Sequence, residues 1–158
     1  MAGSTEVERK FLVAEMPDGE ELGSGVEIVQ GYLAVGGGAE VRLRAKGGRC
    51  FITVKRGAGL ERSEHEVGLE RSQLDALWPA TAERRVEKTR FEIPVGDLTA
   101  ELDLYHGELD GLFTVEVEFS SAAAAALFEA PSWFGREVTE DERYKNKRLA
   151  CEGLPRKC

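Results

Sequence analysis

From Glu6 to Glu118 the chain repeatedly places ionised or polar residues two positions apart, with apolar residues between them. On a strand, side chains two apart share a face and their neighbours point the other way. Glu6, Glu8 and Lys10 therefore line one side of a first strand, opposite Val7 and Phe11. The pattern returns as Gln30 and Tyr32 in Val26 to Ala34, as Arg42 and Arg44 around Leu43, and as Thr53 and Lys55 opposite Ile52 and Val54. It continues through Arg62, Glu64 and Glu66, then Lys88 and Arg90, then Glu101 and Asp103 opposite Leu102 and Leu104, and ends at Glu116 and Glu118 opposite Val117 and Phe119. Eight strands result, broken by glycine clusters such as Gly36-Gly37-Gly38 and Gly47-Gly48 that suit tight hairpins. For any one pair, a solvated face is the ordinary outcome. Recurrence on nearly every strand favours convergence instead. The expected fold is α+β and mainly β: an eight-stranded antiparallel closed barrel, charged within, with helices covering its apolar outside.

Two segments supply that cover. Leu69 to Trp78 carries Leu74, Leu77 and Trp78 at helical spacing, with Pro79 as a stop, and Ser120-Ser121 can cap an alanine-rich helix running to Pro131. Glu15 to Gly25 stays unassigned, and the tail after Ala150 is expected to be loosely ordered. One domain accommodates all 158 residues, with a core over about 5–151 and a tail at 152–158.

Composition limits the partners. The 29 acidic and 21 basic residues leave a net charge of −8, which disfavours nucleic acid and anionic membranes, so phosphate affinity must be local. The longest apolar run, Ala122 to Phe128, is far short of the roughly 18 residues a membrane span needs. Cys50, Cys151 and Cys158 have the spacing of neither a disulfide framework nor a zinc site, which fits a reducing, cytoplasmic setting.

A charged lumen is tolerable only if opposite signs compensate, and here they nearly do. The basic set is Lys10, Arg42, Arg44, Lys55, Arg62, Lys88 and Arg90. The acidic set is Glu6, Glu8, Glu64, Glu66, Glu101, Asp103, Glu116 and Glu118. Guanidinium forks grip phosphate oxygens in pairs, lysines neutralise them as point charges, and clustered carboxylates suit hard divalent cations. The combination describes a site for a metal-bound polyphosphate. Elsewhere, His65 should face outward and His106 sits in a turn. Gly57-Ala58-Gly59 lacks the Gly-Lys-Ser/Thr ending of a phosphate loop and suits a hairpin, while Trp78, Trp133 and Phe134 suit packing.

The same residues resemble a known family. Glu6-Val7-Glu8-Arg9-Lys10 is similar to the ExExK signature of the CYTH superfamily, the triphosphate tunnel metalloenzymes. Gln30-Gly31-Tyr32-Leu33, Arg42/Arg44, Thr53-Val54-Lys55, Lys88-Thr89-Arg90, Glu101-Leu102-Asp103 and Glu116-Val117-Glu118-Phe119 follow in the family's order. Tyr144, Asn146, Leu149 and Ala150 resemble its closing Y-x-N-x-x-L-A pattern. Phe91 stands where tyrosine often follows the K-x-R pair, and Arg9 adds an outward charge. The resemblance implies an eight-stranded tunnel binding a small-molecule triphosphate, in relatives that include dimers. Arg42, Arg44, Lys55, Arg62, Lys88 and Arg90 would hold the triphosphate. Glu6, Glu8, Glu116 and Glu118, with Asp103 as a further ligand, would hold Mg²⁺ or Mn²⁺. Lys10 and Tyr32 would act on the reacting groups, while Glu64, Glu66 and Glu101 pair internally. Hydrolysis of inorganic tripolyphosphate is the expected activity. Thiamine triphosphatase, class IV adenylyl cyclase and a polyphosphate-binding module without turnover are the alternatives.

Overall fold

The computed structural model describes residues 7–57 and 63–156. All eight expected strands form: β1 Val7–Val13, β2 Val26–Gly36, β3 Ala39–Lys46, β4 Arg49–Arg56, β5 Ser63–Leu69, β6 Arg85–Val95, β7 Leu98–Tyr105 and β8 Phe113–Phe119. A ninth, β9 Phe134–Glu137, escapes the alternation because its four residues are too few to show a period. The nine make one antiparallel sheet in the order β5-β4-β3-β2-β6-β7-β8-β1-β9.

Closure is where the structure departs from expectation. A closed barrel needs β1 and β5 to pair, but the outer edge of β1 is occupied by β9 through Phe11 and Val13. The sheet therefore keeps two ends, β5 and β9, and is not closed by hydrogen bonds among the described residues. It is nonetheless strongly coiled. Six strand spacings separate β4 from β1, roughly 29 Å in a flat sheet. Yet Lys10, Tyr32, Arg42, Lys55 and Glu116 line a single cavity of about 120 Å³.

Apolar residues look outward, as the alternation requires. Phe11, Leu102, Val115, Val117 and Phe119 form the larger outer cluster, covered by α3 Ala122–Leu127 and by Phe128 and Phe134. Ser121 caps α3 by accepting a hydrogen bond from the Ala124 amide at 3.0 Å. A second outer cluster, around Leu43 and Cys50, lies beneath Leu74 of α2 Arg71–Leu77. Pro79 does not stop the chain's turning. It occupies the first turn of a 3-10 segment, Trp78–Thr81, where its missing N–H has no partner to lose. Thr81 then packs so tightly on β2 that a Cβ at Gly31 would lie 2.5 Å from its hydroxyl, which is why glycine precedes Tyr32. The unassigned Glu15 to Gly25 stretch contains only a short helix, α1 Gly19–Leu22.

The segment leading up to the tail carries an element that the alternation does not assign. Asn146–Glu152 forms α4, and Leu149 and Ala150 are buried against Val86, Tyr105, Leu109 and Leu112. Val86 and Tyr105 belong to the charged face by strand parity, so α4 covers one end of that face. Order here comes from tertiary burial rather than helix propensity, since seven residues are too short to be stable alone. Leu149→Ala should destabilise the fold by about 2–5 kcal/mol and lower activity with it, because the segment before α4 touches the site. Chemical unfolding alongside a turnover assay checks both.

Candidate active site

Strand parity delivers the charged residues and register brings them together. Lys10 lies opposite Glu116 and Glu8 opposite Glu118 on β1 and β8. Gln30 faces Arg44 and Tyr32 faces Arg42 on β2 and β3, while Glu40 faces Lys55 on β3 and β4. Arg90 lies opposite Asp103 on β6 and β7. Lys10, Arg42, Lys88, Arg90 and Asp103 are each buried, at 8% exposure or less. Ions buried to this degree are tolerable only with compensation.

The compensation is uneven, and the unevenness organises the site. Asp103 accepts from Arg90 Nε at 2.7 Å and Nη2 at 2.8 Å, and from Lys88 Nζ at 2.8 Å. Arg90 Nη1 donates to Glu101 at 2.7 Å. Burial alone would raise the Asp103 carboxyl, but the Lys88 charge and the Arg90 hydrogen bonds overcome it and hold it well below the usual carboxylate range. Lys10 Nζ donates to the Tyr144 carbonyl at 2.6 Å and lies 3.5 Å from Glu116. Arg42 and Arg44 differ: the Nε of each is buried and finds no partner within the protein. Desolvation, and then the nearby Arg42 and Arg90 charges, pull the Arg44 guanidinium down to about 10. Two desolvated cations side by side with unused donors are suited to an anion that brings both charge and acceptors.

Toward the sheet end, Lys55 lies 3.9 Å from Glu64, and Thr53 donates to Glu66 at 3.0 Å. His65 is exposed. His106 Nε2 is 2.7 Å from the Thr89 hydroxyl, away from the cavity. Arg9, on the outer face, grips Glu137 and the carbonyls of Ala125 and Phe128, binding the end of α3 to β1. Glu6 and Arg62, expected at the site, lie outside the described residues, as do residues 58 and 59 of the glycine pair.

The carboxylates suit a hard divalent cation in kind. Glu8 and Glu118 are cross-strand partners with Glu116 on the same face, an all-oxygen set. Among the described residues, however, no three acidic, histidine or cysteine side chains are gathered closely enough to hold an ion. Asp103 spends both oxygens on Lys88 and Arg90.

Part of the cavity wall carries no expectation from the sequence. Thr139, Asp141, Tyr144 and Lys145 line it from the segment leading into α4, Asn146 and Lys147 from the first turn of α4, and Glu40 from β3. The closing Y-x-N-x-x-L-A pattern marks that segment without assigning it a role. Glu40 stands two before Arg42, so the same parity that identifies the arginines points to it.

A coiled antiparallel sheet whose inner face gathers guanidinium, ammonium and carboxylate groups around one cavity is the arrangement expected of the CYTH class. No family model matches the chain. An inorganic triphosphatase of Nitrosomonas europaea is 52% identical over 149 residues, covering 92% of this chain and 97% of that protein. One from Acetivibrio thermocellus is 34% identical over 146 residues, covering 91% and 92%. A crystal structure of an inorganic triphosphatase superposes with a TM-score of 0.75 at 46% identity, covering 98% of this chain and 100% of that one. The chain belongs to the inorganic triphosphatase family within the CYTH superfamily.

Proposed function

We propose that this chain hydrolyses inorganic tripolyphosphate to pyrophosphate and orthophosphate, with Mg²⁺ or Mn²⁺ as cofactor. The observation that carries the proposal is the pair Arg42 and Arg44, each with a buried Nε that has no partner, at a cavity that Arg42 lines together with Lys10, Lys55 and Glu116. Its support from relatives is the 52% identity to an inorganic triphosphatase across nearly the whole of both chains.

Phosphoryl transfer needs mainly positioning and charge stabilisation, because little covalent chemistry falls to the protein. Arg42, Arg44 and Lys55 bind phosphate oxygens along the chain of the substrate and spread the charge that builds in the transition state. Lys88 and Arg90, already paired with Asp103 and Glu101, form a fixed ionic layer that holds the strands carrying the site. Glu8, Glu116 and Glu118, with Glu6, would hold the cation. When bound, the cation neutralises phosphate oxygens and acidifies coordinated water. Lys10, fixed by the Tyr144 carbonyl, directs its remaining donors toward the cavity. Tyr32 is pushed up to about 12, chiefly by burial, so it keeps its proton and enters the reaction as a hydrogen-bond donor that stabilises charge on the departing phosphate.

Tripolyphosphate should also stabilise the fold, because it brings counter-charge to Arg42 and Arg44. At a ligand concentration of 100 Kd the gain is about 2.7 kcal/mol, visible as a raised Tm. The deciding assay measures phosphate release from tripolyphosphate, thiamine triphosphate and ATP across divalent cations. Tripolyphosphate should be preferred, chelation should abolish turnover, and Glu8→Gln and Glu118→Gln should each lower kcat by about 10² or more while remaining folded. Full turnover in those variants would overturn the metal assignment. Cyclic AMP formed from ATP would overturn the activity.

A further inference from the structure

Gln30 is 1% exposed, and on β2 it sits on the same side as Tyr32, two residues away. Its Nε2 donates to the Tyr32 phenol oxygen at 3.0 Å, while its Oε1 is buried with no partner in the protein. It does not line the cavity, whereas Tyr32 does. A buried amide with one orphaned atom is expensive to keep, and a core glutamine with no task would be better replaced by an apolar residue of its size.

The amide's orientation follows from its neighbours. Gln30 is the cross-strand partner of Arg44, whose guanidinium offers only donors, so the carbonyl end of the amide is favoured on that side and the NH₂ end is left for the phenol. The Arg42 guanidinium, cross-strand partner of Tyr32, also bears on the phenol oxygen and can only donate. A phenol accepts through its lone pairs and donates through one proton. With its accepting side met by Gln30 and Arg42, neither of which presents it an acceptor, its proton is directed away from both, toward the cavity, where the charge of the Glu40 carboxylate also bears on it.

We infer that Gln30 is a positioning residue for catalysis: by donating to the Tyr32 oxygen, it aims the Tyr32 hydroxyl proton at the substrate's phosphoryl oxygen. The inference rests on Tyr32 being the hydrogen-bond donor proposed above. Gln30 itself never touches substrate. Its effect belongs to kcat, because an aimed donor matters most as charge develops on the leaving phosphate, and KM should change little.

The test is a double-mutant cycle on tripolyphosphate turnover. Tyr32→Phe should lower kcat on the order of 10²-fold. Gln30→Met, close to isosteric and free of amide donors, should lower kcat about tenfold with KM nearly unchanged. In the Tyr32→Phe background Gln30→Met should then have no further effect, since there is no hydroxyl left to aim. Gln30→Glu provides a second variant. Its carboxylate accepts the phenol proton, reverses the bond and should lower kcat as far as Tyr32→Phe does. Undiminished kcat in Tyr32→Phe would overturn the reading of Tyr32 itself. A deficit in Tyr32→Phe combined with independent, multiplicative losses from Gln30→Met would overturn the positioning role alone, as would a Gln30→Met effect confined to KM or to Tm.

Discussion

Replacing Asp103 by asparagine is expected to produce the largest loss of stability of any single isosteric change in this protein. Asp103 is 2% exposed and is the anion between Lys88 and Arg90, themselves 1% and 8% exposed. Asparagine keeps the shape but removes the charge, leaving buried Lys88 facing a neutral amide and Arg90 with Glu101 as its remaining carboxylate. Breaking a buried ion pair from one side destabilises by about 3–5 kcal/mol, far more than the intact pair gains over an apolar substitute. For a domain of this size that corresponds to a Tm lower by on the order of 10 °C. The acid limb gives an independent check. The folded Asp103 carboxyl titrates below its ordinary value of 3.8, so its contribution is fully present above that pH and is lost as pH falls toward the folded value. The Tm difference between wild type and Asp103→Asn should therefore be level above about pH 4 and narrow below it. A variant that melts within a degree or two of wild type would show that Lys88 and Arg90 find other counter-charge.

Arg42→Ala should do the reverse, removing activity and sparing the fold. Arg42 is as buried as Arg90, but its Nε has no partner and its neighbour Arg44 carries like charge. Loss of one preorganised donor group from a charged transition state lowers the rate by about 10²–10³, and kcat/KM for tripolyphosphate should fall by at least that much. Stability should stay level or rise, since a desolvated cation and its repulsion with Arg44 disappear together. The stabilisation by tripolyphosphate should shrink in the same variant. If Arg42→Ala unfolds the protein while the surviving fraction turns over normally, the arginine is structural and the anion site lies elsewhere. The pair of variants thus separates two kinds of buried cation: those already neutralised within the protein and those left for the substrate.

That distinction was not legible in the sequence. Arg42, Arg44, Lys88 and Arg90 look alike there, each a basic residue alternating with apolar ones. What separates them is the pairing of β6 with β7, which sets Arg90 opposite Asp103. Nor does the sequence mark Asp103 among the acidic residues as the partner of Lys88 and Arg90, because a carboxylate on a charged face carries no sign of what it meets. The helix of the closing segment escapes the sequence pattern for a similar reason. Tyr144, Asn146, Leu149 and Ala150 span too few residues to show a stable helix, and only the buried surface offered by Val86, Tyr105 and Leu112 orders them. The closed barrel failed on a four-residue strand, β9, whose backbone takes the β1 edge that closure would have used.

Which residues face inward was determined by the sequence alone, because side-chain direction on a strand depends only on parity, a local and near-rigid property of the backbone. Eight strands, the ionised lining of the site and the apolar exterior all follow from it. Which inward residues meet, which charges are cancelled, and whether the sheet closes were decided by tertiary structure. These depend on the register between strands distant in sequence and on competition for free strand edges, and no local rule contains either.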